Sequence, residues 1–296
     1  MKKIFKTLIL LTLTLALFLQ GCQKKDPDEE SSRKDQPIVN GKVEQYHTSM
    51  EYSYTTSPNE EILKTGLSAE YLLLANKSHA LGESYFPSDL VTLTCPTNYG
   101  KTVELDRRAA EALYLMLAEM NAAGVTDISV TSGYRSYQKQ TALFNQYLSE
   151  ESATITENAI ACFGMDYIQK NYLDRGLEVL SAKDAKTVVL SYSAYPGTSE
   201  HHTGLCMDLI TTEMTGLWNY GSETPNNPYD KGFAETAAFA WLQNNAHKYG
   251  FILRFPENKT SVTGYSYESW HYRYVGVDHA TKIFEQGITL EEYLGK

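Results

Sequence analysis

Apolar positions along this chain first run together, then vanish, and only later settle into helical and alternating periods. Leu8 to Leu19 is an uncharged apolar run, preceded by Lys2, Lys3 and Lys6 and cut short by Gln20-Gly21-Cys22. A membrane-spanning helix needs about 20 apolar residues, so this shorter run predicts a signal-peptide core, with residues 1–21 as the leader. From Gln23 to about Asn40 the chain is Lys, Asp, Glu, Ser, Pro and Gln with almost nothing apolar. Such a stretch cannot bury enough surface to repay its ordering. Residues 22–64 therefore read as a flexible tether running into a polar, Tyr-rich segment with no assigned fold.

Regular periods begin near Asp106, a good N-cap for a helix to about Ala123 with Ala110, Leu113, Leu117 and Met120 on one face and Gly124 as terminator. Alternation over Asp127–Thr131 predicts a short strand. The turn Ser132-Gly133-Tyr134-Arg135 leads to a second helix from Ser136, striped by Leu143, Phe144, Tyr147 and Leu148. Ala153 to Leu190 reads as further helix broken at Gly164 and Gly176, and Ser191–Gly197 as loop. Later come a strand at Leu205–Ile210, a helix at Phe233–Tyr249 closed by Gly250, and a strand at Phe251–Phe255. A turn at Asn258–Gly264 and a Tyr/Trp-rich strand at Tyr267–Val275 follow. Helices first and strands clustered late is an α+β order, expected as one domain over residues 65–296.

Composition adds little to this picture. A net charge of −10 argues against a nucleic-acid partner and does not choose a substrate. The tetrapeptide Leu19-Gln20-Gly21-Cys22 resembles a bacterial lipobox, which implies cleavage before Cys22 and lipid on its sulfur. The alternative is ordinary secretion; either way the mature protein is expected outside the cytoplasmic membrane. Cys95, Cys162 and Cys206 then remain, as one pair plus a free thiol or as three thiols.

Two stretches carry the chemistry: Ser199-Glu200-His201-His202-Thr203-Gly204-Leu205-Cys206-Met207-Asp208 and Glu268-Ser269-Trp270-His271. From them two histidines, an aspartate and a separate glutamate can be drawn. A catalytic zinc site needs three protein ligands, an open position for water and a free carboxylate to take that water's proton. On the strand, Cys206, Asp208 and Ile210 point one way and Leu205, Met207 and Leu209 the other. The bend at Thr203-Gly204 is what would return His201 to Asp208. Residues three apart on a strand face opposite ways, so this chemistry requires Glu268 to lie on an irregular entry to its strand. The competing reading is a surface His-Glu-His cluster, a strand-end salt bridge and an ordinary aromatic strand of Trp270, Tyr272 and Tyr274.

These motifs resemble those of the VanY-type D-alanyl-D-alanine carboxypeptidases. The pattern Ser-x-His-x-x-Gly-x-Ala-x-Asp is matched by Ser199, His201, Gly204 and Asp208; Glu268, Trp270, His271, Arg273, Tyr274 and Val275 fit a second pattern. Ser132 to Ser136 and Trp241 through Arg254 are similar to two more, so the resemblance spans about Asp106 to Val275. It implies an α+β zinc peptidase domain with helices packed on a small, mainly antiparallel sheet. It further implies Zn2+ held by His201, Asp208 and His271, Glu268 as general base, Arg135 stabilising the oxyanion and Ser199 holding substrate. The implied substrate is the terminal D-alanine of peptidoglycan peptides; the lipobox adds a lipid anchor at Cys22, and a monomer is expected. The rivals are an L,D-carboxypeptidase acting on tetrapeptides and a non-catalytic wall-binding lipoprotein. Cys206 stands where the family usually has alanine, on the strand face of Asp208, where it could approach the metal; it reads rather as a small buried thiol, and His202 as a substrate-side neighbour of the metal.

Overall fold

The computed structural model describes residues 68–212, 214 and 232–296. The leader, the tether and Cys22 lie outside the described residues. No helix among the described residues is long and apolar enough to cross a membrane.

The first strands of the described chain form a two-stranded antiparallel ribbon, β1 (Leu90–Thr92) against β2 (Glu104–Asp106). Asp106 ends the ribbon and caps α1 (Arg107–Ala122), its carboxylate accepting from the Arg108 amide. The Ala/Leu/Met face of α1 is buried from Ala109 to Met120. There follow β3 (Ser129–Ser132) and α2 (Tyr137–Glu151), the latter capped by the Ser136 hydroxyl. Next come α3 (Glu157–Phe163), α4 (Met165–Asn171) and α5 (Ala182–Tyr192). The expected breaks at Gly164 and Gly176 are present, with φ of 81° and 66°. Strand β4 (Cys206–Ile210) and α6 (Ala237–Asn245) lead to β5 (Phe251–Phe255), the single turn α7 (Thr260–Thr263) and β6 (Glu268–Tyr274). Two helices close the chain, α8 (Val277–Gln286) and α9 (Leu290–Leu294).

The main sheet has the order β3-β4-β6-β5, with every neighbouring pair antiparallel. Its two faces divide by period. Leu205, Met207, Leu209, Trp270, Tyr272 and Tyr274 join α1 and α6 in the principal core. Cys206, Asp208, His271 and Arg273 alternate with them and so occupy the opposite face. The segment from α3 to α5 builds a separate small core from Ala159, Ile168, Tyr172, Leu180, Ala185 and Val188.

Two expectations need correction, and one open alternative is decided. The helix expected over Phe233–Tyr249 is α only from Ala237 to Asn245, with a 3-10 turn on either side. Thr236 restarts it, its hydroxyl accepting from the Phe239 amide. The turn at Asn258–Gly264 contains the helical turn α7. The three cysteines Cys95, Cys162 and Cys206 are all free, which removes the pairing alternative.

Candidate metal and catalytic site

The site forms on the polar face of the sheet, where β4 and β6 bring Asp208 opposite His271. His201 arrives from the turn Glu200–Thr203, which ends at Gly204 with φ of 71°. A Cβ on Gly204 would also meet Leu90 Cδ2 at 2.9 Å, so glycine is needed there for both conformation and space. The bend expected from the sequence is therefore present and carries His201 back to the strand: His201 Nε2 lies 3.2 Å from Asp208 Oδ2. His271 Nδ1 lies 2.9 Å from the other oxygen, Oδ1.

Each imidazole is fixed from behind. The Gly133 carbonyl sits 2.6 Å from His201 Nδ1 and accepts from it, so Nε2 is the nitrogen that faces Asp208. Gly133 is itself pinned: a Cβ there would meet the Glu104 carbonyl oxygen at 2.4 Å. On the other side Glu200 Oε2 lies 3.4 Å from His271 Nε2, which leaves Nδ1 to face Asp208. Two histidines whose outer nitrogens are held by acceptors and whose inner nitrogens converge on one carboxylate form the donor set of a divalent cation with N and O ligands. His201, Asp208 and His271 are all nearly inaccessible to solvent.

The electrostatics follow from this crowding. Burial opposes charge on His201, yet Cys206 and Asp208 carry its pKa up to about 9. Burial would raise Asp208, but the two histidines hold it well below the usual carboxylate range. Cys206 is likewise opposed by burial and nevertheless lowered by His201 and His271.

Glu268 reaches the same point. Its Oε2 lies 3.6 Å from His271 Nδ1, and its side chain keeps 20% exposure toward the cleft. The irregularity that makes this possible lies inside β6 rather than before it. Between the pairs Leu253↔Tyr272 and Phe255↔Glu268, β5 advances two residues while β6 advances four. The ladder is irregular there, and Glu268 meets His271 although a spacing of three would put them on opposite faces of a regular strand. Burial, helped by Asp208, pushes the Glu268 carboxyl up to about 7 against the pull of His271, His201 and Arg135.

Arg135 lines the cleft from the turn after β3, with Nη1 donating to Gln140 Oε1 and Nη2 to Ser132 Oγ, each at 3.0 Å. Gln140 is oriented by its own Nε2, which donates to the Ala194 carbonyl at 2.7 Å. Ser199 is buried on the same cleft wall. The cleft, about 410 Å³, runs from these residues to Tyr147, Asn158 and Tyr192 of the α2–α5 region.

His202 does not belong to the site. Its Nε2 faces the Tyr85 carbonyl at 3.0 Å and its ring meets the Tyr85 ring edge-on. Successive residues of a tight turn point apart, so His201 and His202 cannot both face the strand. The sequence reading missed Glu200, which is buried rather than on a surface. Its Oε1 accepts from Arg254 Nε at 2.8 Å and Arg273 Nη1 at 2.7 Å. Arg254 in turn makes a two-pronged pair with Glu291, at 2.9 and 2.6 Å. The available signal was an arginine at an inward position of each of two aromatic strands, since a buried charge demands a partner.

A polar sheet face with a convergent His-Asp-His set, a nearby carboxylate and an open cleft defines a hydrolytic peptidase. Residues 102–277 match the VanY family, D-alanyl-D-alanine carboxypeptidase, and the chain belongs to that family. A D-alanyl-D-alanine carboxypeptidase of Enterococcus faecalis (strain ATCC 700802 / V583) is 32% identical over 253 residues, 84% of this chain and 76% of that one. The LdcB LD-carboxypeptidase structure is 33% identical with a TM-score of 0.54, covering 76% of this chain and 86% of its own. Two VanY structures are each 30% identical over 76% of this chain. One, in complex with Zn(II), has a TM-score of 0.52 over 99% of its chain. The other, VanYB in complex with D-alanine-D-alanine, has a TM-score of 0.53 over 98%.

Proposed function

We propose that this protein is a zinc-dependent carboxypeptidase that removes the C-terminal D-alanine from peptidoglycan stem peptides by cleaving a D-Ala-D-Ala bond. The observation that carries the reading is the convergence of His201 Nε2 and His271 Nδ1 on Asp208, with Glu268 Oε2 3.6 Å from His271 Nδ1. The Zn(II) and D-alanine-D-alanine complexes of the VanY neighbours support the metal and the substrate class. His201, Asp208 and His271 would hold the ion, which when bound supplies Lewis acidity toward a carbonyl oxygen and a lowered pKa for water.

The chain's own residues do the rest. Glu268 takes a proton from the attacking water and delivers it to the leaving amine nitrogen, a role suited to a carboxyl tuned near neutrality. Arg135, braced by Gln140 and Ser132, donates to the carbonyl oxygen as it becomes negative. Ser199 on the cleft wall offers a hydroxyl to the substrate's terminal group. Lipid attachment at Cys22, with residues 22–64 as tether, would hold this domain outside the membrane near a polymeric substrate.

The second reading is L,D-cleavage of tetrapeptide stems, favoured by the likeness to LdcB. Both reactions release D-alanine, so the peptide decides. The test is D-alanine release by protein from Gln23 onward, given pentapeptide or tetrapeptide, with zinc or with chelator. Zinc-dependent release from the pentapeptide is expected. Release from the tetrapeptide alone moves the assignment to L,D-cleavage, and release from neither with zinc bound removes the proposal.

A further inference from the structure

The two oxygens of the buried Glu200 carboxylate serve different partners. Oε1 accepts from Arg254 Nε at 2.8 Å and from Arg273 Nη1 at 2.7 Å, whereas Oε2 faces His271 Nε2 at 3.4 Å. A guanidinium beside a carboxylate frequently takes both of its oxygens in a two-pronged pair. Here neither arginine does so with Glu200, because its other nitrogens are held elsewhere. Arg254 gives Nη1 and Nη2 to the two oxygens of Glu291, at 2.9 and 2.6 Å. Arg273 gives Nε to the Tyr274 carbonyl at 2.9 Å, and Nη2 to the carbonyls of Tyr71 and Leu73, each at 2.8 Å. Glu291 is met in turn by Asn76 Nδ2 at 3.1 Å. Arg254 and Arg273 are fully buried, and Asn76 and Glu291 nearly so. Tyr71, Leu73, Asn76 and Glu291 all lie outside the stretch 102–277 that matches the family.

We propose that Glu291, on α9, is a positioning residue of the metal centre: by occupying both terminal nitrogens of Arg254 it keeps Glu200 Oε2 free to orient His271. The Tyr71 and Leu73 carbonyls do the same for Arg273. Segments from both flanks of the family-matched stretch therefore belong to the working site. The inference rests on the metal-site reading above. With the Glu291 charge removed, Arg254 turns its freed nitrogens on the remaining anion, Glu200, because a buried guanidinium demands a partner. Oε2 is then drawn off the imidazole, and His271 offers Nδ1 to the ion with no anion behind it, less basic and less firmly oriented. Arg135 is held by Gln140 and Ser132 instead, so this side of substrate binding stays in place.

The test compares wild type, Glu291→Gln, Glu200→Gln, the double variant and Ile283→Ala. Ile283 shares a small core with Leu290, the neighbour of Glu291, and takes no part in the network, so it controls for lost stability alone. Chelator competition should find zinc held about three- to tenfold more weakly by Glu291→Gln, below the 10- to 100-fold typical of a direct outer partner. Glu200→Gln and the double variant should match each other, because without the Glu200 anion Arg254 has nothing to draw away. With zinc saturating, kcat for D-alanine release should fall in Glu291→Gln while KM holds. Ile283→Ala should unfold at lower urea yet keep wild-type zinc affinity and kcat. Should Glu291→Gln not fold, Glu291→Asp, which withdraws the anion by one methylene, takes its place and should weaken zinc in the same direction. If the Glu291 variant unfolds more easily but matches wild type in zinc affinity and kcat, Glu291 is only a strut and the proposal is wrong. A double variant several-fold weaker than Glu200→Gln overturns the route through Glu200. If wild type itself binds no zinc, it is the metal-site reading beneath that fails.

Discussion

Glu200 Oε2 lies 3.4 Å from His271 Nε2, while the other oxygen of the same carboxylate takes hydrogen bonds from two buried arginines, Arg254 and Arg273. One residue thus links the candidate metal centre to the ion-pair network beneath the sheet. Arg273 extends that network to the Tyr71 and Leu73 carbonyls, each at 2.8 Å, and Arg254 extends it to Glu291. The orientation of His271 is therefore set by residues far from it in sequence.

Replacing Glu200 by Gln keeps the shape and removes the charge. Arg254 and Arg273 would then sit buried with one carboxylate, Glu291, in place of two. Breaking a buried pair from one side costs about 3–5 kcal/mol. Denaturant unfolding of the variant should show a loss of that order. Chelator competition should show zinc held about 10- to 100-fold more weakly, because the imidazole loses its anionic partner. Unchanged stability and unchanged zinc affinity would mean the Glu200–His271 contact carries nothing.

Activity should depend on acid in a direction fixed by Glu268. Its carboxyl is pushed up to about 7, and a general base works only when ionised. Activity is therefore full above that pKa and lost as pH falls through it. A bound cation lowers the midpoint further, so the acid limb of kcat/KM should fall at or below about 7. A limb centred well above 7 would exclude Glu268 as the group responsible.

Gly133 should tolerate no side chain. A Cβ would meet the Glu104 carbonyl oxygen at 2.4 Å and Val103 Cγ1 at 2.7 Å, and the Gly133 carbonyl holds His201 Nδ1. Gly133→Ala should destabilise the fold by about 1–3 kcal/mol and weaken metal retention together, as read by urea unfolding and zinc content. A variant with normal stability and full zinc would show that the turn has room to move.

The readable part of this protein was whatever depended on neighbours in sequence. The Asp106 and Ser136 caps, the stripe of α1, the breaks at Gly164 and Gly176 and the facing of Asp208 all follow from local period and capping. The bend at Gly204 could be anticipated because only glycine adopts that conformation freely. What escaped depended on pairing across the sheet. The two-residue surplus in β6 exists only relative to β5, so the sequence could require an irregularity near Glu268 but not locate it. Glu200 read as a surface residue because its partners, Arg254 and Arg273, lie 54 and 73 positions away. His202 was placed near the metal by adjacency alone, whereas the turn sends it to Tyr85.

The most direct test of the central claim separates metal binding from proton transfer. Zinc content and D-alanine release should be measured on the same preparations of wild type, His271→Ala and Glu268→Ala. The account predicts about one zinc and full turnover for wild type, and loss of both for His271→Ala. Glu268→Ala should retain its zinc while turnover falls by about 10²–10⁴ or more. A Glu268→Ala protein that loses its zinc, or a His271→Ala protein that keeps both zinc and activity, would contradict it.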